Sequence, residues 1–243
     1  MRSGNPSLND KVFDRAAGGS GAAMTIEGTV NKTMLLLTLC VVAASFTWGR
    51  FAAVGAEGVQ TIALGSAVAG FIVAMVTIFK AQWSPVTAPV YAVLEGLFIG
   101  AVSAIFEARF PGIVIQAVGL TFGTLLALLG AYKSGLIKAT ENFKLGVVAA
   151  TGGIALLYLV SIVMGFFGHS IAFIHQGGTM GILFSAFVVV IAALNLVLDF
   201  DFIENGAAQG APKYMEWYGA FGLLVTLVWL YLEILRLLGK ARD

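Results

Sequence analysis

Between Thr33 and Leu238 the chain repeats one pattern, an apolar run followed by a short polar link. A helix of about 20 apolar residues crosses the ~30 Å hydrocarbon core of a bilayer. Inside that core every backbone N–H and C=O must be satisfied within the chain, which leaves helices or closed barrels. Runs of this length without period-two alternation read as helices. Seven are expected: Thr33–Val54, Gln60–Phe79, Ala88–Phe106, Gly112–Tyr132, Phe143–Phe167, Ile182–Glu204 and Lys213–Leu238. Pro212 suits the first position of the last one.

Composition agrees. Of 243 residues, 59% are hydrophobic and 11% charged, against about 25% charged in soluble chains. The fold class is therefore all-α, a polytopic membrane protein with the lipid bilayer as its first partner. Residues 1–32 are polar and mixed in charge, and read as an exposed arm before a transmembrane domain at 33–243. No apolar h-region follows the first basic residues, so no cleaved signal peptide is expected. A net charge of +1 points away from nucleic acid. Cys40 reads as a small buried hydrophobe. His169 and His175 fall in a link with no Cys, Asp or Glu at ligand spacing, so they read as loop residues.

Lys and Arg in short loops set orientation. With seven crossings one side collects Arg2, Lys11, Arg15, Lys32, Lys80, Lys133, Lys138, Lys144 and Lys213. The other holds Arg50, Arg109, Arg236, Lys240 and Arg242. The excess favours a cytoplasmic N-terminus, although the basic tail pulls the other way. The pairs Gly96/Gly100, Gly119/Gly123 and Gly177/Gly181 have the spacing that lets helix backbones approach, mostly within the molecule. Trp48, Trp83, Trp217 and Tyr218 lie near span ends, as an interfacial belt would place them.

Acids within such spans need water, a partner or an ion path. Ile182 to Leu198 is free of charge, and then Asp199, Asp201 and Glu204 follow. Asn195 and Asp199 share a face. Asp199 and Asp201 point about 200° apart while the helix stays regular. Glu95 lies roughly 12 Å into the third span. Glu216 opens the last helix. Glu233 lies near its far end, spaced to pair with Arg236. No zinc-protease, serine-hydrolase or phosphate-loop signature is present, so no enzyme and no cofactor is expected.

Three stretches carry a resemblance. VNKTMLLLTL, the long segment YAVLEGLFIGAVSAIFEARFPGIVIQAVGLTFGTLLALLGAYKSG and the closing LDFDFIE…WLYLEILRLLG resemble the Bax-inhibitor (transmembrane Bax-inhibitor-motif) family, nearest its bacterial branch. The resemblance spans about residues 30 to 240. It implies a seven-helix bundle with the last helix central, and a pH-sensitive calcium leak gated by paired acids on the sixth and seventh helices. A bacterial branch further implies the inner membrane. Asp199 matches the first acid. For its mate two registers stand open: LYLE places Glu233 there, and the closing WLYLEILRLLG places Thr226. These lie 34 and 27 residues beyond Asp199. With a turn between Glu204 and Pro212, Asp199 would sit about 7 Å below it and Glu233 about 31 Å below it. On that geometry Asp199 meets Glu216 or Thr226 rather than Glu233.

The reading that follows is a cation pathway, Ca²⁺ or H⁺, with Asp199 as a hard-oxygen ligand helped by Asp201 or Glu95. A second reading is a non-conducting regulator that binds other membrane proteins, in quality control or stress response. A proton-coupled carrier is weaker, since no inverted repeat is evident.

Overall fold

The computed structural model describes residues 23–167 and 178–242. His169, His175 and Gly177 lie outside the described residues. Helices account for nearly all of what is described: α1 Ile26–Phe79, α2 Ser84–Arg109, α3 Ile113–Lys133, α4 Glu141–Phe166, α5 Thr179–Ala208 and α6 Met215–Arg242, with a 3-10 turn at Ala81–Trp83. All six α-helices are long and apolar enough to cross a membrane. The chain is thus an all-helical, polytopic membrane protein.

Several boundaries differ from the sequence reading by a few residues, and two differences in the first helix change the picture. The first helix starts at Ile26, not Thr33, because Thr25 caps it: Thr25 Oγ1 accepts from the Gly28 N–H at 3.0 Å. The expected polar arm therefore loses its last residues to the helix. The expected link before Gln60 is also shorter than a loop. Helical hydrogen bonding continues through it, broken at Gly55, whose φ of 70° and ψ of −170° are non-helical. That backbone conformation is open to glycine and not to other residues.

The chain forms two compact units, residues 23–111 with 201–225 and residues 112–200 with 226–242. In the first unit, Gly96 and Gly100 of α2 pack on the backbone of Cys40 and Ala44 in the first arm of α1. Those pairs advance together, so the two helices run the same way. Against the second arm the order reverses: Gly70 faces Leu94 and Glu95, and Thr77 Oγ1 donates to Thr87 Oγ1 at 2.8 Å. The chain therefore turns back on itself at Gly55. The buried positions of the first arm, Thr29, Thr33, Leu36, Cys40, Ala43 and Thr47, alternate by four and three, one stripe along the helix. α6 joins this unit in the same direction as α2. Ser84 Oγ donates to the Tyr214 carbonyl at 3.0 Å, and the Tyr91 ring meets Phe221 edge-on at 5.0 Å.

In the second unit, α5 and α6 are antiparallel. Lys240 Nζ donates to Ser185 Oγ at 2.9 Å and to the Gly181 carbonyl at 3.2 Å. Trp229 packs with Ile154, Val188 and Ile191, joining α4 to the pair.

The expected intramolecular use of Gly96 and Gly100 is what the structure shows, whereas Gly119 and Gly123 face open space. A side chain at Gly96 would overlap the Cys40 carbonyl. Gly96→Val should therefore cost about 1–3 kcal/mol of stability, with Gly119→Val nearly neutral. Thermal unfolding of the detergent-solubilised variants measures both; equal melting temperatures would contradict the packing described.

Candidate functional site

The acids singled out from sequence fall into two groups, one in each unit. In the unit of residues 23–111 and 201–225, Glu216 is fully buried in the first turn of α6. Its Oε1 accepts from the Thr25 backbone N–H at 2.9 Å, from Thr25 Oγ1 at 2.8 Å and from Lys213 Nζ at 2.7 Å. Its Oε2 pairs with Lys32 Nζ. The Lys32 ammonium also lies 5.4 Å from the Trp217 ring centre, over its π face. A methyl group on Gly28 would occupy the carboxylate's own space. Thr25, Gly28 and Lys32 lie on one face of the first helix at i, i+3 and i+7. A buried carboxylate is tolerated when paired and hydrogen-bonded, and this one is. Glu216 thus fastens the start of α1 to the start of α6; it is not an open ligand.

Glu95 is half-buried in α2. The Tyr91 hydroxyl, one turn earlier, donates to its carboxylate. Asp201 is half-buried, and its backbone carbonyl accepts from Asn205 Nδ2 at 2.7 Å.

In the unit of residues 112–200 and 226–242, Asn195 Nδ2 donates to Thr151 Oγ1 and to the Ile191 carbonyl, both at 2.8 Å. One turn further along the same face, Asp199 has no exposed surface. Thr226 of α6 is also buried. The antiparallel register of α5 and α6 brings Thr226 level with Asn195 and Glu233 level with Val188. That places Glu233 eleven residues, about 16 Å along the axis, from Asp199.

Glu233 is engaged elsewhere. Tyr158 Oη donates to Glu233 Oε1 at 2.9 Å. Arg236 Nη1 reaches Oε1 at 2.9 Å, Oε2 at 3.1 Å and Tyr158 Oη at 2.8 Å. The Arg236 guanidinium also lies over the Tyr158 ring at 5.3 Å. The expected Glu233–Arg236 pair is present. Glu233 is accordingly a tether from α6 to α4 and not the mate of Asp199.

Asp199 was expected to offer a hard oxygen to Ca²⁺ with help from Asp201 or Glu95; α5 stays helical to Ala208, so Asp199 and Asp201 point to different faces, as a regular helix requires. Among the described residues no three Asp, Glu, His or Cys side chains gather as a metal site.

These polar side chains lie in a chain whose family can be stated. The family model described as Bax inhibitor 1 like matches residues 5–243, nearly the whole sequence. The chain belongs to the Bax inhibitor 1 like family. No curated protein and no solved structure matches it.

For this Bax inhibitor 1 like protein, sequence reasoning missed Thr25, Gly28 and Lys32 because the first helix was started seven residues late. The face they form is legible once Thr25 is taken as the cap. Tyr158 carried a usable signal, since a hydroxyl in mid-span needs a partner. Lys240 carried none, because only the antiparallel packing of α5 and α6 brings it to Ser185.

Replacing Glu216 by Ala should destabilise the protein by about 1–3 kcal/mol, the cost of leaving its hydrogen-bonding partners unmet. In a Gly28→Ala background the same change should cost much less, because it also removes the overlap. A thermal double-mutant cycle reads this coupling; additive losses would break the assignment.

Proposed function

We propose that this Bax inhibitor 1 like protein is a seven-crossing cation leak, with Ca²⁺ as cargo and Asp199 as the titrating gate. Seven crossings are supported by the reversal at Gly55, which makes two arms of α1, together with the five other long helices. A central last helix is supported by the depth of α6: Leu224, Leu230 and Leu235 have no exposed surface, and Leu227 is 3% exposed. The preponderance of Lys and Arg on the N-terminal side supports a cytoplasmic N-terminus, and the resemblance to the bacterial branch suggests the inner membrane.

The observation that carries the reading is the full burial of Asp199, aligned with Asn195 on an otherwise apolar helix. An ionised carboxylate at that position costs several kcal/mol unless compensated. In a gate such an acid has two states: protonated, it is tolerated in a closed, dry interior; ionised, it attracts water and a cation. The pathway then conducts with Asp199 ionised and closes with it protonated. Glu216 and Glu233 contribute by holding helices in place rather than by meeting the ion, and Thr226 lines the level beside Asn195. The chemistry required is passage, not bond-breaking, so no catalytic role is proposed.

Purified protein in calcium-dye-loaded liposomes tests this directly. Asp199→Asn should abolish the flux or fix it at one level, erasing its pH dependence. Flux and pH response equal to wild type would overturn the gate and leave the regulator reading, in which neutralising acids spares partner binding.

A further inference from the structure

Tyr218 stands one turn into α6 with no exposed surface. Among the described residues nothing hydrogen-bonds to its hydroxyl. Its ring packs between Phe202 and Phe221, both 6.4 Å away centre to centre, in a cluster with Met24, Ile203 and Met215. Phenylalanine would fill the same space. A buried hydroxyl left unmet costs about 1–3 kcal/mol, so the oxygen needs a partner that the described side chains do not supply. Buried water is the usual one.

Phe221 also connects Tyr218 to a second pair of polar groups. The Phe221 ring meets Tyr91 edge-on at 5.0 Å, and the Tyr91 hydroxyl donates to Glu95. α2 and α6 run parallel, with Ser84 beside Tyr214 and Tyr91 beside Phe221. Glu95 is therefore level with Val225, seven residues or about 10 Å beyond Tyr218. A hydrogen-bonded file over that distance requires a few waters about 2.8 Å apart. At the near end of α6, the Lys213 side chain is half exposed, so solvent reaches the first turn. Around Glu95, Tyr91 on its own helix and Cys40 on the first arm of α1 are titratable groups in its field. The second arm brings Gly70 against it.

We propose that Tyr218 Oη binds internal water and that Tyr218, Tyr91 and Glu95 form a proton route through this unit, ending on the Glu95 carboxylate. Each water or hydroxyl along it accepts one proton and passes on another. Glu95 takes the last to become a carboxylic acid and returns it by the same path, so no electron moves and no bond other than O–H changes. The route is independent of cation flux at Asp199.

Infrared spectroscopy of the full-length protein in lipid vesicles, at a pH low enough to protonate Glu95, tests it. The carboxyl C=O band is assigned by its loss in Glu95→Gln. On transfer to D₂O that band should shift promptly in wild type. In Tyr218→Phe its exchange should slow about tenfold, the rate equivalent of one lost hydrogen bond. Tyr91→Phe should slow it as well, which keeps the route testable if the first variant folds poorly. Asp199→Asn should leave the rate unchanged, even if it abolishes calcium flux. Equal exchange in Tyr218→Phe and wild type, or a more stable Tyr218→Phe with unchanged exchange, would overturn the route.

Discussion

Hydrocarbon supplies no hydrogen bonds, and most of this structure is an answer to that fact. The backbone answers by being helical nearly throughout. Threonines answer locally: Thr29, Thr33 and Thr121 each donate to the carbonyl four residues earlier, so their hydroxyls are spent inside the helix that carries them. Charged groups answer by pairing. Glu216 gathers two ammonium groups and both donors of Thr25, while Glu233 gathers Arg236 and the Tyr158 hydroxyl. Each arrangement joins two helices, because at least one partner comes from a different segment, Thr25 and Lys32 for Glu216 and Tyr158 for Glu233. Polar satisfaction and tertiary attachment are thereby the same contacts.

Glycine does the complementary work, through what it lacks. At Gly96, Gly100 and Gly28 the absent side chain leaves room for a neighbour's carbonyl or carboxylate. At Gly55 it permits a backbone conformation that returns the chain alongside itself. Without the reversal α1 would be a rod of about 80 Å, far longer than a bilayer is thick. Instead its two arms lie on α2 in opposite senses. The same residue type on α3, at Gly119 and Gly123, touches nothing, so the spacing alone does not say where helices meet.

Membership in the Bax inhibitor 1 like family gives a context for the buried acids without assigning their roles. Here the structure separates them. Glu216 and Glu233 have partners that hold them in fixed positions, which suits attachment. Asp199 lies buried one turn beyond Asn195, and its charge is the one the proposed gate would change. Glu95, half-buried and bonded to a phenol, is poised between these cases.

The sequence by itself determined the medium, the helical class and the family resemblance, because each rests on local runs of residues: apolar length, the absence of alternation, and motif order. It also placed the Glu233–Arg236 pair, which is one helical turn apart and needs no partner element. Only the tertiary structure decided which acids are neutralised and by what. Lys32 and Glu216 are 184 residues apart, and Tyr158 and Glu233 are 75 apart. No periodicity spans such separations; the contacts exist because helices from distant parts of the chain pack side by side. How the first two crossings are joined was likewise hidden, since a single glycine dihedral at Gly55 makes the reversal where a link was expected.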